Sequence, residues 1–200
     1  WPHHRWFYYR PLCLALDILC KHPGRSAGSF LYLYVYQGNA QAGQRYAGGL
    51  VGYQTGGLIK TSYAAGAVSL ESADQNSTNY AGGLVGYLTG SGNIAGSNAS
   101  GAVSAGTNSD VGGLFGFADT GTSITNSHDT GNVNSGGGYS SEFSSAGGLG
   151  GYNKGTVSLS YATGNVTDGN DSTTELESVG GLIGYESGGT IDRRDRQRVE

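Results

Sequence analysis

The chain has 200 residues, a net charge of −4 and 38 glycines. This glycine content excludes a helix bundle, because glycine costs about 1 kcal/mol relative to alanine at a helical position, and the absence of a three-residue glycine period excludes collagen. The sequence contains no run of about 18 apolar residues, so it predicts no membrane-spanning helix. The chain contains no methionine and begins at Trp1, so we expect it to be a piece of a longer protein.

Residues 1–45 differ in composition from the rest of the chain and match no repeat. They hold every Pro, Cys and Trp. The alternating segment FLYLYVY (30–36) predicts a strand, whereas LCLALDILC (12–20) is a poor signal peptide because Asp17 interrupts its apolar stretch. We interpret residues 1–45 as an atypical flank, either a cap on the open end of the following domain or an artefact of a frame error.

Residues 46–191 form an internal repeat with a period of 30–35 residues. Five copies of one motif occur: GGLVGY (48–53), GGLVGY (82–87), GGLFGF (112–117), GGLGGY (147–152) and GGLIGY (180–185). A second block, with a β-branched residue followed at fixed offsets by Ser, Gly and Val, follows each of the first four copies. These blocks are IKTSYAAGAV (59–68), IAGSNASGAV (94–103), ITNSHDTGNV (124–133) and VSLSYATGNV (157–166).

A unit of this length, with three short apolar segments, cannot bury its own apolar face, but units stacked in register bury a continuous one. The repeat therefore predicts an all-β fold, a parallel β-solenoid (β-helix) of four full coils and a partial fifth. Leu50, Ile59, Val68 and their equivalents are the predicted inward residues. The recurring glycines are expected to allow bends with positive φ or close backbone approach. A ladder of stacked serines is expected at Ser62, Ser97, Ser127 and Ser160.

Insertions and most acidic residues of the repeat fall in the stretches that join one unit to the next. These stretches are 69–81, 104–111, 134–146 and 167–179. Insertions at fixed points map to surface loops on one side of a solenoid, so we expect that side to be acidic, polar and variable. Residues 46–191 contain Lys60 and Lys154 against eleven acidic residues, and this negative charge disfavours nucleic-acid binding.

Residues 192–200 depart from the repeat. The pattern predicts Ser at position 194 and Gly at position 198, but the chain reads DRRDRQRVE. We therefore interpret residues 192–200 as a charged tail outside the pattern, and expect the fifth coil to end two residues into its second block.

The repeat resembles the GLUG repeat, whose core is Gly-Leu-hydrophobic-Gly. Four cores fit directly: GLVG (49–52), GLVG (83–86), GLFG (113–116) and GLIG (181–184). In the remaining copy Gly150 stands at the hydrophobic position, and we expect that coil to pack less well. The resemblance implies a β-solenoid stalk or adhesive surface, as in filamentous-haemagglutinin-like adhesins and some immunoglobulin A peptidases of bacteria. It implies no catalytic residue and no cofactor.

Few residues are candidates for chemistry, and we predict no catalytic, cofactor-binding or metal-binding residue. His128 shares its repeat position with Tyr63, Asn98 and Tyr161, which predicts an ordinary rung of the solenoid. Residues 168–171 resemble a calcium loop but lack the later glutamate, so a solvated turn is favoured.

The first 23 residues hold both cysteines and three histidines. Their spacing lacks the close ligand pairs of a structural zinc site. A disulfide between Cys13 and Cys20 stays open, because it depends on export to an oxidising compartment.

These patterns predict a non-catalytic structural or adhesive repeat segment of a secreted or cell-surface bacterial protein, presenting variable acidic loops on a rigid solenoid. Expected partners are a host-surface glycan or protein, or neighbouring solenoid coils of a longer chain, without nucleic-acid binding or membrane insertion. The alternatives are a fragment of a β-helix carbohydrate-active enzyme and a stalk attached to a peptidase domain. An enzyme of that type needs clustered Asp, Lys, Arg or His on one face, and the repeat places no such pair. Ice binding is disfavoured because the ranked positions mix Ser, Asn, Ala, Tyr and His.

Overall fold

The computed structural model describes residues 44–71, 78–136, 143–169 and 176–192. Every regular element in these ranges is a β-strand, and the strands are labelled β1–β23 in chain order. The described residues form no helix that is long and apolar enough to cross a membrane. The predictions for residues 1–43, including the strand at 30–36, and for the tail beyond Asp192 lie outside the described residues.

Each repeat unit folds into one coil of up to five short strands, where the sequence indicated three apolar segments. The first coil comprises β1 (Gln44–Gly48), β2 (Val51–Thr55), β3 (Leu58–Lys60), β4 (Tyr63–Ala64) and β5 (Val68–Leu70). The second comprises β6 (Thr78–Gly82), β7 (Val85–Thr89), β8 (Asn93–Ala95), β9 (Asn98–Ala99) and β10 (Val103–Ala105). The third comprises β11 (Ser109–Gly112), β12 (Phe115–Ala118), β13 (Ser123–Thr125), β14 (His128–Asp129) and β15 (Val133–Ser135). The fourth comprises β16 (Phe143–Gly147), β17 (Gly150–Asn153), β18 (Thr156–Ser158), β19 (Tyr161–Ala162) and β20 (Val166–Asp168). The partial fifth comprises β21 (Leu176–Gly180), β22 (Ile183–Glu186) and β23 (Thr190–Asp192).

The coils stack so that equivalent strands form five parallel sheets. Sheet A holds the first strand of each coil, sheet B the second and sheet C the third, five strands in each. Sheets D and E hold the fourth and fifth strands of the first four coils. The register joins equal repeat positions, since Ile124 pairs with Ile94 on one side and Val157 on the other. The predicted all-β parallel β-solenoid is confirmed, with about four turns.

Two apolar clusters run along the interior. The first is lined by sheets B, C and D and includes Leu84, Leu114, Leu149, Ile94 and Ile124. The second lies between sheets A and E and includes Val68, Val103, Val133, Ala81 and Val111. These residues are buried, which confirms the predicted inward positions in the inner coils.

The recurring glycines are required for close backbone approach. A Cβ on Gly82 would collide with the carbonyl oxygen of Val85, and a Cβ on Gly131 would collide with that of Gly101 in the preceding coil. The motif bend and the spacing between coils therefore both depend on glycine. Among the described residues, positive φ occurs in the turns that join sheet B to sheet C, at Gly56, Gly57, Gly90, Gly121 and Gly188. It also recurs at the corner between sheets C and D, at Thr61, Gly96, Asn126 and Leu159.

The fourth coil is well packed at Gly150, so the expectation of poorer packing was wrong. Gly150 pairs in register with Phe115 of the preceding coil. Phe115 is fully buried, and its ring occupies the space into which a side chain on Gly150 would project. The large residue of one coil thus fills the volume that the next coil leaves, whereas Val85 and Ile183 hold the same position in the flanking coils.

The loops that join the units are shorter than the sequence predicted, because a strand extends into each end of the joining stretch. In the stretch 69–81, β5 continues to Leu70 and β6 begins at Thr78. In the stretch 104–111, Asp110 lies within β11 and is buried, so this acidic residue is not part of an exposed loop. The central parts of three stretches, residues 72–77, 137–142 and 170–175, lie outside the described residues.

Candidate functional site

A continuous set of aromatic rings, called the aromatic ladder below, lies where sheets A and B meet. It consists of Tyr46, Tyr53, Tyr80, Tyr87, Phe117, Tyr152 and Tyr185. Five of these residues end a GGLxGY-type motif, and the other two precede a motif by two residues. Because the sheets align equal repeat positions, one column runs through Tyr53, Tyr87, Phe117, Tyr152 and Tyr185, and Tyr46 and Tyr80 form a second.

In the first three coils the rings within a column are stacked face to face, whereas Phe117–Tyr152 and Tyr152–Tyr185 meet edge to face. The two columns also meet edge to face. The Tyr53 and Tyr87 centroids are 5.2 Å apart with an interplanar angle of 11°, and those of Tyr87 and Phe117 are 4.6 Å apart at 7°. Tyr80 contacts Tyr87 from the other column, with centroids 4.9 Å apart at 85°. Such aromatic pairs contribute about 0.5–1.5 kcal/mol each beyond area burial, so the ladder ties successive coils together.

The stacking limits what the ladder does chemically. Tyr87 stacks on both Tyr53 and Phe117, so this ring does not offer a free face on which a sugar or base would stack. Burial, with a smaller effect of Asp119, raises the pKa of the Tyr87 hydroxyl to about 12, and burial also raises the pKa of Tyr80. These hydroxyl groups therefore stay protonated at neutral pH, and the arrangement favours a mechanical role.

Asp110 takes the place of the aromatic residue in sheet A of the third coil, where it pairs in register with Tyr80. It is 5% exposed, and the Ser145 hydroxyl donates a hydrogen bond of 2.5 Å to its Oδ1. The Lys154 ammonium lies 5.4 Å from the centroid of the Phe117 ring. Burial raises the pKa of Asp110 to about 7, and the Ser145 hydrogen bond and the charge of Lys154 oppose this rise.

A carboxyl group with a pKa near 7 is suited to general acid or base catalysis. Glycoside hydrolysis needs a second carboxyl group, roughly 5–9.5 Å away across the bond to be cleaved. Asp119 is a second acidic residue near the ladder, and its charge raises the pKa of Tyr87. Its carboxylate accepts hydrogen bonds from the Thr89 hydroxyl and the Thr120 N–H. Sequence reasoning missed Asp110 because it interpreted the whole stretch 104–111 as a loop.

A second buried carboxyl group, Asp129, lies in the first apolar cluster. It occupies a position in sheet D where the other three full coils have alanine. Neither carboxylate oxygen has a partner within hydrogen-bonding geometry among the described residues. Burial raises the pKa of Asp129 to about 7, and only the nearby N–H groups of Gly131 and Thr130 oppose this rise. Comparison of the second blocks shows this acidic residue at an inward position, a signal that the sequence reasoning did not use.

The predicted serine ladder is confirmed. The N–H of Ser62 donates to Oγ of Ser97 at 3.1 Å, that of Ser97 to Ser127 at 3.2 Å and that of Ser127 to Ser160 at 3.1 Å. Each hydroxyl also donates to the carbonyl oxygen two residues earlier, as Ser127 does to Thr125 at 2.9 Å. The serine hydroxyl groups therefore form hydrogen bonds with backbone N–H and carbonyl groups between sheets C and D, and these bonds hold the coils in register.

His128 lies where the sequence predicted, as a rung of sheet D between Asn98 and Tyr161. Its ring stacks on Tyr161, with centroids 4.8 Å apart at 3°. In the described parts of the chain, no group of three or more His, Cys, Asp or Glu side chains is arranged to hold a metal ion. The segment 168–171, interpreted as a solvated turn, begins at the end of β20, and its last two residues lie outside the described residues.

Comparison with known families bears on the first two coils. A family model described as the GLUG motif matches residues 43–69 and 77–104. Neither curated proteins nor solved structures gave a match. The two matched segments support a GLUG-repeat protein, and the register of the sheets continues the same pattern through the later coils.

Proposed function

We propose that the chain is a stiff, non-catalytic repeat segment of a secreted or cell-surface bacterial protein, whose solenoid serves as a stalk and whose connecting loops present a contact surface. The observation that carries this proposal is the in-register stacking of the coils through all five sheets. Parallel backbone pairing resists separation of the coils, and the aromatic and serine ladders add side-chain contacts at the same spacing.

The side chains of the aromatic and serine ladders contact the adjacent coil rather than surround an open cleft. Ring faces meet ring faces in the aromatic ladder, and serine hydroxyl groups meet backbone in the serine ladder. A surface of this kind suits a spacer, which must keep its length and shape under load. The stretches that join the units carry most of the acidic residues of the repeat, although Asp110, Asp168 and Glu177 lie in strands. The parts of these stretches between the strands are free to vary without disturbing the register.

A host-surface glycan or protein is the partner that we propose for these loops, and neighbouring coils of a longer chain are the partner of the solenoid ends. The test exchanges residues 72–77 and 170–175 for Gly-Ser segments of equal length, which leaves every described strand intact. Loss of binding on a glycan array or on host cells, with an unchanged circular-dichroism spectrum, supports contact through the loops. Lys60→Ser, on the exposed surface of β3, serves as the control. Binding that survives both exchanges contradicts contact through these loops, and a parent chain that does not bind leaves a plain stalk.

The alternative of a β-helix carbohydrate-active enzyme rests on Asp110, the buried carboxyl group beside the aromatic ladder. Asp110→Asn and Asp129→Asn remove one buried carboxyl group each, but only the first lies beside the ladder. Robust polysaccharide cleavage that Asp110→Asn abolishes and Asp129→Asn retains would overturn the non-catalytic proposal. The other alternative, a stalk attached to a peptidase domain, requires the same solenoid. The full-length reading frame tests it, because it shows whether a peptidase domain is encoded.

A further inference from the structure

Two carboxyl groups are buried among the described residues, and both belong to the third coil. Asp110 lies in β11 and is 5% exposed, whereas Asp129 lies in β14 and is inaccessible to solvent. These strands belong to sheet A and sheet D, which are different walls of the cross-section. The third coil therefore carries a buried acid in two of its five sheets.

Asp129 is surrounded by small and apolar groups. The strands on either side of it in sheet D, β9 and β19, place Ala99 and Ala162 at the same position. Its carboxyl group lies against Gly113, at the place that a Cβ on this glycine would occupy. The first apolar cluster, into which the carboxyl group projects, consists of hydrophobic side chains. An ionised Asp129 therefore has no cation beside it among these neighbours.

No titratable side chain faces Asp129 from the described elements packed against it. His128 precedes it in β14 but lies on the outer face of sheet D, where its ring stacks on Tyr161. The N–H groups of Thr130 and Gly131 are the polar groups that favour the charged form, and neither carboxylate oxygen accepts a bond in good geometry. Ionisation thus leaves an uncompensated charge in the core, which strongly disfavours the closed coil.

Asp110 has partial compensation for its burial. Ser145 in the next coil donates a hydrogen bond to its carboxylate, and the positive charge of Lys154 favours the ionised form. From β6 and β7, the hydroxyl groups of Tyr80 and Tyr87 interact with it and stay protonated at neutral pH. Ionisation of Asp110 therefore adds a second poorly solvated charge to the same coil.

The location of both groups in one coil makes their effect local. A coil of a solenoid contacts only the coil before it and the coil after it. Around Asp129, Thr130 N–H donates to the Ala99 carbonyl of the second coil, and Thr163 N–H of the fourth coil donates to the Asp129 carbonyl, both at 3.1 Å. Parts of a folded protein open separately when their own contacts are weaker than those elsewhere. Charge in the third coil therefore weakens these two interfaces and leaves the other interfaces unchanged.

We propose that the third coil, β11–β15, is a pH-sensitive joint of the solenoid. Protonated Asp110 and Asp129 keep the joint closed in acidic solution, and their ionisation opens it locally as the solution becomes neutral to alkaline. The solenoid is then continuous at low pH and is divided by a loosened coil at high pH. The inference goes beyond the proposed function, because a stalk requires no dependence of its stiffness on pH.

The direction of the pH effect follows from proton binding. Burial raises the pKa of both Asp110 and Asp129 to about 7, from the 3.8 of an unperturbed aspartate. The closed coil therefore binds more protons than the open coil between these values. Closing is favoured at low pH and loses this contribution as the pH rises through about 7.

Hydrogen exchange of the full chain near pH 5.5 and near pH 8 tests the joint. Rates are expressed as protection factors, which remove the direct effect of pH on exchange. We expect protection of Thr130 N–H and Thr163 N–H to fall by roughly tenfold or more between these pH values. Leu149 N–H donates to the Leu182 carbonyl between the fourth and fifth coils, and its protection should change by less than about threefold.

A double variant removes both carboxyl groups with little change in shape. Asp129→Ala installs the residue of the flanking coils, and Asp110→Asn keeps an oxygen that accepts from Ser145. Protection at the two interfaces of the third coil should then be independent of pH. Glu71→Gln, at an exposed position, is the control and should behave as the parent does.

A second variant moves the buried acid by one coil. Asp129→Ala with Ala99→Asp, made in the Asp110→Asn background, places the carboxyl group in the second coil. Thr163 N–H should then keep its protection near pH 8. The pH-dependent loss should instead appear at Ser100 N–H, which donates to the first coil.

Three results would overturn the proposal. Equal protection of Thr130 and Thr163 at both pH values would show that the buried carboxyl groups do not open the coil. An equal fall at Leu149 would show that the solenoid opens as one unit, and a fall that persists in the double variant would assign the effect to other groups. The loop-exchange variants should keep the joint, so loss of host-surface binding and loss of the joint are distinguishable.

Discussion

The hexapeptide GGLVGY occurs in both the first and the second coil, and the two copies have different environments. Leu50 in the first coil is 42% exposed, whereas Leu84 in the second is inaccessible. Val51 is half-buried, whereas Val85 is fully buried. Identical residues differ because the second coil has a described neighbour on each side and the first has one on a single side. Burial in a solenoid is therefore a property of the stack rather than of the motif.

The other end of the molecule shows the same contrast. Ile191 and Val179 in the fifth coil are about half-exposed, whereas Ile94 and Ile124 at the position of Ile191 are buried. Apolar side chains and strand edges are therefore exposed together at the ends, which is the combination that favours association with another strand. The inner coils supply stability, and the end coils supply places for contact.

The largest expected effect comes from truncating the equivalent leucine in each of the two copies of GGLVGY. Leu84→Ala is expected to lower the free energy of unfolding by about 2–5 kcal/mol, because it opens a cavity between two coils. Leu50→Ala removes a partly exposed side chain and should cost less than about 1 kcal/mol. Urea unfolding followed by circular dichroism measures both. Equal losses would show that position in the stack does not govern burial energy.

Asp129 weakens the inner core at neutral pH. Its pKa is about 7 in the folded chain and 3.8 in an unperturbed aspartate, so the folded state binds more protons between these values. The free energy of unfolding therefore falls as pH rises from about 4 to about 7. Asp129→Ala, which installs the residue of the other full coils, is expected to change stability little near pH 4. Near pH 8 it should raise the free energy of unfolding by roughly 2–4 kcal/mol.

Denaturant unfolding at both pH values measures this effect, and Glu71→Ala, at an exposed position, is the control. Asp110 contributes a further pH dependence of the same sign, because burial also raises its pKa to about 7. A shallower slope should therefore remain in Asp129→Ala. If Asp129→Ala is less stable than the parent near pH 8, the carboxylate makes a favourable contact and the expectation is wrong.

The Phe115–Gly150 pair tests whether adjacent coils share volume. Phe115→Val leaves a void, and Gly150→Val overfills the same space, so each is expected to cost about 1–3 kcal/mol. The double variant restores a medium-sized residue in both coils, as at Val85 and Ile183. Its cost should fall below the sum of the single costs by about 1–3 kcal/mol. Additive losses in a double-mutant cycle would mean that the two sites relax independently.

The smallest expected effect concerns the left-handed backbone at Leu159, whose φ is 51°. The second coil has Gly96 at this position, and glycine adopts positive φ without the steric cost of a Cβ. Because Leu159 is half-exposed, Leu159→Gly loses little packing and should raise the free energy of unfolding by about 0.5–1 kcal/mol. Leu159→Ala keeps the Cβ and should not gain. A melting temperature raised equally by both substitutions would indicate release of the apolar side chain rather than of backbone strain.

Several structural features were predictable from the repeat spacing because they depend on register alone. Equal offsets from Ser62 to Val68 in each block are sufficient for parallel pairing, and they place the serines and valines in ladders. The division into five strands was not predictable in the same way, since a two-residue strand such as Tyr63–Ala64 carries no measurable alternation. The buried carboxyl groups were harder still to predict, because Asp110 and Asp129 look like ordinary solvated acids until the face on which each lies is known.

The sequence by itself thus determines which residues meet, because equivalent positions recur every 30–35 residues as far as the repeat extends. How well they fit is a matter of volumes and charges contributed by different coils, and it emerges only when the coils are stacked. Gly150 looked like a defect in its own motif and proved to complement Phe115 of the coil before it. The same reasoning explains the ends: an identical Leu is core in one coil and surface in another, because desolvation requires a neighbour on both sides.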